Sequence, residues 1–239
     1  MQMVIFCGGL ATRLRPLTEK IPKSMVRING KPFLVYQIEI LKKNNVKNVV
    51  LCTGFLGEQI KEYFGDGKKF GINIKYSEEK DRLLGTGGAL INAEHILKEK
   101  FFTMYGDSYL LLDFRDIWRY FDNFKKMGMM VVYKNYNRFD RSNVTIRDNY
   151  VTNFYKDRNK RGLVYIDSGA SVLRKSVLDL IPTDTKFSLN DVFIELIKRK
   201  ELLAYRTNQR FYEIGSKRGL EEFKKLVSER AFDYFLKSK

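Results

Sequence analysis

The stretch from Val4 to Lys23 constrains this chain more than any other part of its sequence. Its first four residues, Val4 to Cys7, are apolar and predict a buried strand, and Gly8 and Gly9 follow directly. Glycine has no Cβ, so backbone N–H groups beside it can approach an anion closely. Arginines and lysines then follow, which add positive charge and hydrogen-bond donors. A strand that opens into glycines and then into cations is typical of a phosphate-binding loop.

Bulk composition excludes several classes of protein. The chain has 239 residues, 44% hydrophobic and 30% charged, which is typical of a globular chain with one large α/β domain or two small ones. The N-terminus lacks the features of a signal peptide, and no apolar stretch approaches the roughly 18 residues that span a bilayer. Cys7 and Cys52 each lie in a predicted buried strand, so we expect reduced, packed thiols in a cytoplasmic protein with no membrane partner.

The net charge of +16 requires nucleic-acid binding to be considered. However, lysine and arginine are spread along the whole chain with acidic residues interleaved, and the longest basic cluster, Lys198 to Lys200, is only three residues long. A basic surface also attracts nucleotides and sugar phosphates. We therefore expect small anionic substrates, and we keep a nucleic-acid binder as an alternative.

The first 112 residues alternate between predicted strands and helices. Strands are predicted over 4–7, 47–53, 72–77 and 101–105, and helices over 33–44, 57–64 and 89–98, the last opened by a glycine-rich loop. This order predicts an α/β fold with a doubly wound, mainly parallel, Rossmann-like sheet. Ligands bind beyond the carboxyl ends of strands in such sheets. Gly8, Gly9 and Asp107 all follow predicted strand ends, so we expect them at one site.

The remaining residues, 113–239, are predicted to complete the pocket within a single domain over 1–239. Predicted elements are helices over 115–127, 176–181, 189–199 and 217–236, strands over 129–133, 165–173, 202–207 and 210–214, and a hairpin over 143–155. We expect residues 1–112 to hold a nucleotide and residues 113–239 to hold a second substrate.

Several motifs, in this order, resemble those of the sugar-1-phosphate nucleotidyltransferases. The family opening G-G-x-G-T-R-L, P-x-T and P-K-P corresponds here to Gly8–Leu14, Pro16–Thr18 and Pro22–Ser24, with Ala11 and Ser24 as departures. Later matches are Gly85–Ala89 to a G-T-G/A-G-A-L loop, Gly106-Asp107 to a strand-ending G-D, and Tyr212–Ser216 to an aromatic-x-D/E-I-G-T/S segment. The chain's short length is similar to that of the heptose-1-phosphate guanylyltransferases and the amino-sugar uridylyltransferases, and of these the guanylyltransferases are favoured.

The resemblance implies a reaction and a set of roles. A sugar 1-phosphate would attack the α-phosphorus of an NTP, release pyrophosphate and yield an NDP-sugar for surface polysaccharide, with Mg²⁺ as cofactor and a small C-terminal part binding the sugar. Catalysis of this kind consists mainly of positioning and charge neutralisation. The implied roles are catalysis by Arg13, Lys23 and Asp107; nucleotide binding by Gly8, Gly9, Thr12, Arg13, Gly85 and Gly88; sugar-phosphate binding by Lys23, Glu78, Gly87, Lys156 and Gly169; and metal binding by Asp107 and Glu213.

The acceptor and the base stay open at this point. Lys156-Asp157 reverses the Glu-Lys order that relatives often carry, and Asp167 stands where Asn is usual. Either the alignment slips by one residue and Lys156 binds the phosphate, which we favour, or the acceptor differs from a common hexose phosphate. We favour GTP with a heptose or mannose type phosphate over a uridylyl-, thymidylyl- or cytidylyltransferase and over a non-catalytic nucleotide-sugar sensor. The oligomeric state, a homodimer included, is also open.

Overall fold

A nine-stranded sheet forms the centre of the structure, a computed structural model described here over residues 1–80, 82–156, 160–183 and 185–229. Its strands in spatial order are β5 (Asn73–Glu78), β4 (Asn48–Thr53), β1 (Gln2–Phe6), β6 (Lys100–Tyr105), β11 (Tyr165–Arg174), β8 (Gly128–Lys134), β12 (Leu202–Thr207), β10 (Tyr150–Phe154) and β9 (Val144–Arg147). Two small ladders pair β2 (Arg27–Ile28) with β3 (Lys31–Pro32), and β7 (Ser108–Leu110) with β13 (Phe211–Glu213). Asp157 and the predicted helical residues 230–236 lie outside the described residues.

Only one half of the sheet is wholly parallel. Strands β5, β4, β1 and β6 pair in parallel, with Ile5 of β1 opposite both Leu51 and Met104. In the other half β11 runs antiparallel to β6 and to β8, and β10 runs antiparallel to β12 and to β9, while β8 and β12 pair in parallel. The α/β architecture with a central sheet is therefore confirmed, but the sheet is mixed rather than mainly parallel. Among the residues that the structure describes, no helix separates β9, β10 and β11 in sequence, and strands joined without a crossover helix pair antiparallel.

Helices cover both faces of the sheet. Helices α1 (Phe33–Lys43), α2 (Gly57–Phe64) and α4 (Phe114–Asp122) pack on the face that carries Ile5. Helices α3 (Gly85–Asn92) and α5 (Leu189–Lys198), with the 3-10 helix Lys175–Leu180, pack on the face that carries Val4. Helix α6 (Lys217–Ser228) packs against α1 through Phe223 and Phe33. Adjacent strand residues face opposite sides, so burial on both sides explains the unbroken apolar strands. Within the described ranges, every helix is too short or too polar to cross a membrane.

Two local predictions need correction. The predicted loop Gly85–Gly88 is the first turn of α3, which begins four residues before the predicted helix. The predicted strand over 210–214 exists as β13, but it pairs with β7 outside the central sheet. This second pairing matters for function because it brings the end of β13 to the carboxyl end of β6.

Both cysteines are free and buried, on opposite faces of the sheet. Cys7 packs with Ile5, and Cys52 packs with Val4. Burial raises the pKa of Cys7 to about 12, so its thiol stays protonated at neutral pH.

Candidate active site

A cleft of about 540 Å³ opens at the carboxyl ends of β1, β4 and β6. Both halves of the chain line it, and its volume is in the range of small-molecule sites. The sequence-predicted residues that line it are Gly8, Gly9, Arg13, Lys23, Gly85, Asp107, Lys156, Gly169 and Glu213. Residues widely separated in sequence therefore meet at the sheet edge that the strand order indicated.

The opening loop leaves β1 on the floor of the cleft. A Cβ on Gly8 would lie 2.9 Å from Glu79 Oε2 and 3.2 Å from the Gly54 nitrogen, so a side chain there would require both neighbours to shift. Ala11 has a φ of 50°, the left-handed region in which glycine is easier to place. It precedes the 3-10 helix Thr12–Leu14, from which Arg13 enters the cleft. Thr12 lies in the same turn but outside the cleft lining.

The two predicted metal carboxylates meet through the β7–β13 ladder. Glu213 pairs with Ser108, the residue after Asp107, and the Ile214 N–H donates to the Asp107 carbonyl at 2.9 Å. A Cβ on Gly215 would lie 2.6 Å from Asp107 Oδ2, 3.0 Å from Arg13 Nη2 and 3.3 Å from Glu213 Oε2. Three predicted site residues therefore converge on one glycine. Gly215 belongs to the Tyr212–Ser216 motif, but the motif by itself indicates no role for this glycine.

The negative charge of the Asp107 and Glu213 carboxylates suits the binding of a divalent cation. Burial raises the pKa of Glu213 and the nearby Asp107 charge raises it further, while the positive charges of Arg13 and Lys23 offset only part of this rise. A bound cation would therefore stabilise the ionised carboxylate. Carboxylate oxygens are ligands that Mg²⁺ prefers, and bound phosphates and water commonly supply the others. Such outside ligands are needed, because the described residues contain no group of three or more His, Cys, Asp or Glu side chains arranged for a metal.

Lys23 and Asp107 form an ion pair on the cleft wall. Lys23 lies in the 3-10 helix Lys23–Met25, and its Nζ donates to Asp107 Oδ2 at 2.6 Å. Both side chains are largely buried, with 23% and 15% of their surface exposed. The ammonium group is thus held within reach of the carboxylate that would ligate a cation.

The opposite side of the cleft comes from the C-terminal half. Gly169 lies in a bulge of β11 and has a φ of 94°, and its N–H donates to Asp167 Oδ1 at 2.8 Å. A Cβ there would lie 2.6 Å from Ser108 Oγ, so the bulge presses its backbone against the Asp107 turn. Lys156 also faces the cleft, but it is paired with Asp191 in the first turn of α5.

Glu78 lies outside the cleft lining, contrary to its implied role. It ends β5 and pairs with Lys61 at 2.7 Å. Its neighbour Glu79 lines the cleft instead, because successive residues of an extended chain face opposite sides. The Leu84 N–H donates to Glu79 Oε1 at 3.0 Å, and burial raises the pKa of Glu79. Strand alternation was the sequence signal that could have identified Glu79.

Gly87 and Gly88 also lie outside the cleft lining. Their N–H groups both donate to the Phe187 carbonyl, at 2.9 and 3.2 Å, so they are already used within the protein. A Cβ on Gly87 would lie 3.0 Å from that oxygen, and one on Gly88 would lie 2.6 Å from Leu84 Cβ. Close packing therefore explains these two glycines, whereas Gly85, with a φ of 75°, does line the cleft.

The structure adds cleft residues that the sequence did not single out: Asp140, Asn143, Lys186 and Asn190. Lys186 is exposed beside Gly85 and forms no ion pair with any described residue. Motif matching missed these positions because they come from loops and helix ends without a recognisable pattern.

Comparison with known proteins identifies the family to which this chain belongs. A family model described as "Nucleotidyl transferase" matches residues 2–228. The D-glycero-alpha-D-manno-heptose 1-phosphate guanylyltransferase of Campylobacter jejuni is 35% identical over 218 residues, which are 90% of this chain and 95% of that protein. The protein of the same name from Aneurinibacillus thermoaerophilus is 32% identical over 90% and 93%. Among solved structures, HddC from Yersinia pseudotuberculosis, also solved in complex with GMP-PN, has a TM-score of 0.79 at 25% identity and covers 95% of this chain and 99% of that one. This chain therefore belongs to the nucleotidyl transferase family, and it is a nucleotidyltransferase of the sugar-1-phosphate type that its motifs resemble.

Proposed function

We propose that this enzyme transfers GMP from GTP to the 1-phosphate of a heptose or manno-configured hexose, with Mg²⁺ as cofactor. Pyrophosphate leaves, and the NDP-sugar produced serves surface polysaccharide synthesis. The observation that carries the proposal is the convergence of Arg13, Asp107 and Glu213 on Gly215, with Lys23 beside them. We place the reaction in the cytoplasm, in agreement with the two free, buried thiols.

The chemistry follows from charge and position. An oxygen of the acceptor phosphate attacks the α-phosphorus of GTP, and the bond from that phosphorus to the bridging oxygen of pyrophosphate breaks. Arg13 is placed to donate hydrogen bonds to the leaving pyrophosphate, and Lys23 to neutralise the α-phosphate and the acceptor phosphate. Asp107 and Glu213 would hold the Mg²⁺, which supplies neutralisation of phosphate charge when bound.

The preference for guanine rests on Glu79. Guanine presents an N1–H and an N2 amino group side by side, and an ionised carboxylate can accept from both. Glu79 is half-buried beside Gly8, where the nucleotide loop begins. Uracil and thymine present one N–H on the corresponding edge, so a carboxylate favours guanine over them. The guanylyltransferase names of the two relatives support the same base.

A pyrophosphate-release screen tests the proposal. ATP, GTP, CTP, UTP and dTTP are each combined with mannose, glucose, N-acetylglucosamine and D-glycero-D-manno-heptose 1-phosphates and with inositol 1-phosphate, in Mg²⁺. We expect release with GTP and the heptose or mannose phosphate, and a loss of at least about 100-fold in Asp107→Ala. Release with another NTP but not GTP would contradict the guanylyl assignment, and silence across the panel would contradict the proposed acceptors.

A further inference from the structure

The turn that carries Asp107 is held from outside the cleft. It runs from Tyr105 to Ser108 and links β6 to β7. The Gly106 N–H donates to the Phe6 carbonyl at 3.0 Å, and a Cβ on Gly106 would lie 2.5 Å from that oxygen. From the other side, the Ile214 N–H donates to the Asp107 carbonyl. Strand β1 and the residue directly after β13 therefore each fix one point of the turn.

Helix α1 supplies the third hold through Gln37. This side chain is fully buried in the middle of the helix. Its Nε2 donates to the Tyr105 carbonyl at 3.0 Å and to the Ser108 carbonyl at 2.6 Å. Those two carbonyls flank Gly106 and Asp107, so one amide group ties together both ends of the turn.

The amide oxygen of Gln37 shows that packing alone does not explain why a glutamine occupies this position. Gln37 Oε1 is buried and has no hydrogen-bond partner among the described residues. A buried acceptor without a partner destabilises a fold. A methionine or leucine of similar volume would fill the space without that cost. The two carbonyls that Nε2 holds are the reason for an amide at this position.

We propose that Gln37 is a positioning residue for the metal carboxylate. By holding the carbonyls on either side, it sets where Asp107 stands relative to Lys23 and Glu213. The inference rests on the proposed function, because it takes Asp107 as a ligand of the divalent cation. Residues that hold metal ligands in place change metal affinity or activity by about 10–100-fold when they are removed.

The test replaces Gln37 with methionine, which removes both donors at similar volume. Mn²⁺ binding is measured by EPR, with the metal alone and with GTP, and initial rates are measured by pyrophosphate release. We expect the Mn²⁺ dissociation constant to rise at least about tenfold and kcat to fall by a similar factor, while KM for the sugar phosphate changes less than about threefold. Amide hydrogen exchange over 105–108 should become faster.

Asn44→Leu is the matched control. Asn44 is a buried amide at the end of the same helix, and it accepts from the Phe114 N–H and donates to the Ile40 carbonyl, both at 3.0 Å. Its loss should lower stability but leave Mn²⁺ affinity and kcat per folded molecule unchanged. The inference is overturned if Gln37→Met binds Mn²⁺ within twofold of wild type, or if Asn44→Leu loses as much affinity. Should Gln37→Met fail to fold, Gln37→Asn keeps an amide too short to span both carbonyls and is judged by the same limits.

The two proposals fail in different ways. A wild-type enzyme that releases pyrophosphate while Gln37→Met retains Mn²⁺ affinity contradicts only the role of Gln37. A wild-type enzyme with neither Mn²⁺ binding nor pyrophosphate release contradicts the proposed function and this inference together.

Discussion

Replacing Gly215 with alanine tests whether Asp107, Arg13 and Glu213 act as one unit. The new Cβ would lie 2.6 Å from Asp107 Oδ2, whereas ordinary contacts begin near 3.4 Å, so that oxygen must retreat by about 0.8 Å. A displacement of about 1 Å in a catalytic site costs roughly 100-fold in rate, or about 2.7 kcal/mol of transition-state stabilisation. All three crowded atoms are side-chain ends that can move aside, so the free energy of unfolding should fall by less than about 1 kcal/mol.

The assay pairs kcat/KM from pyrophosphate release with thermal denaturation. Gly128→Ala is the control, because its Cβ would lie 2.9 Å from Leu196 Cδ1 and 3.0 Å from Leu173 Cδ2, in the core rather than at the site. Overpacking there should cost about 1–3 kcal/mol of stability and leave the activity of each folded molecule unchanged. The reasoning is refuted if Gly215→Ala keeps kcat/KM within threefold of wild type, or loses activity only in proportion to lost stability as Gly128→Ala does.

Four further predictions concern the charged groups of the cleft. Glu79→Gln should raise KM for GTP about tenfold, because an amide offers one acceptor where the carboxylate offers two, whereas Glu78→Gln should leave KM within twofold; steady-state kinetics on both variants checks this. Because burial raises the pKa of Glu79, KM for GTP should rise as the pH falls through that raised value, and the Gln variant should lose this dependence. The raised pKa also makes folding stability depend on pH when no nucleotide is bound. The contribution of Glu79 to the free energy of unfolding is fully present below its pKa in the unfolded chain and is lost as the pH rises through its pKa in the folded protein. Denaturant titrations of wild type and Glu79→Gln at several pH values would detect this loss. Lys23→Met should bind Mn²⁺ alone severalfold more tightly, since the ammonium 2.6 Å from Asp107 no longer competes, while kcat falls about 100-fold; equal Mn²⁺ affinity would contradict the competition.

Local patterns predicted the parallel half of the fold well. The apolar run at Val4, the glycines after it and the helix over 33–44 depend on residues that are neighbours in the chain, so their periodicity is visible in the sequence. The mixed half was less predictable. The spacing of apolar residues in β11 shows that it is a strand, but not that it enters the sheet antiparallel between β6 and β8.

The residues of the candidate site also divide into those that local motifs predicted and those that depend on contacts between distant segments. Arg13, Lys23, Asp107 and Glu213 were each predicted from motifs, and the structure brings them to one cleft, where their roles stay predictions. The motifs predicted a sugar contact for Glu78, whereas the side chain that lines the cleft belongs to the next residue, Glu79. Gly87 and Gly88 were given ligand contacts, although Phe187, about 100 positions away, occupies their N–H groups.

The sequence by itself determined which chemical groups this protein has for phosphate transfer, because glycines after a strand, cations and strand-ending carboxylates are legible one segment at a time. Only the tertiary structure decided which of them meet. Asp107 and Glu213 are 106 positions apart, and they come together through a two-stranded ladder outside the main sheet. Gln37 and Gly215 acquire their significance in the same way, from hydrogen bonds and steric limits between distant elements. Such contacts are decided by burial and backbone pairing across the whole fold, and they leave no periodicity in the sequence from which they could be read.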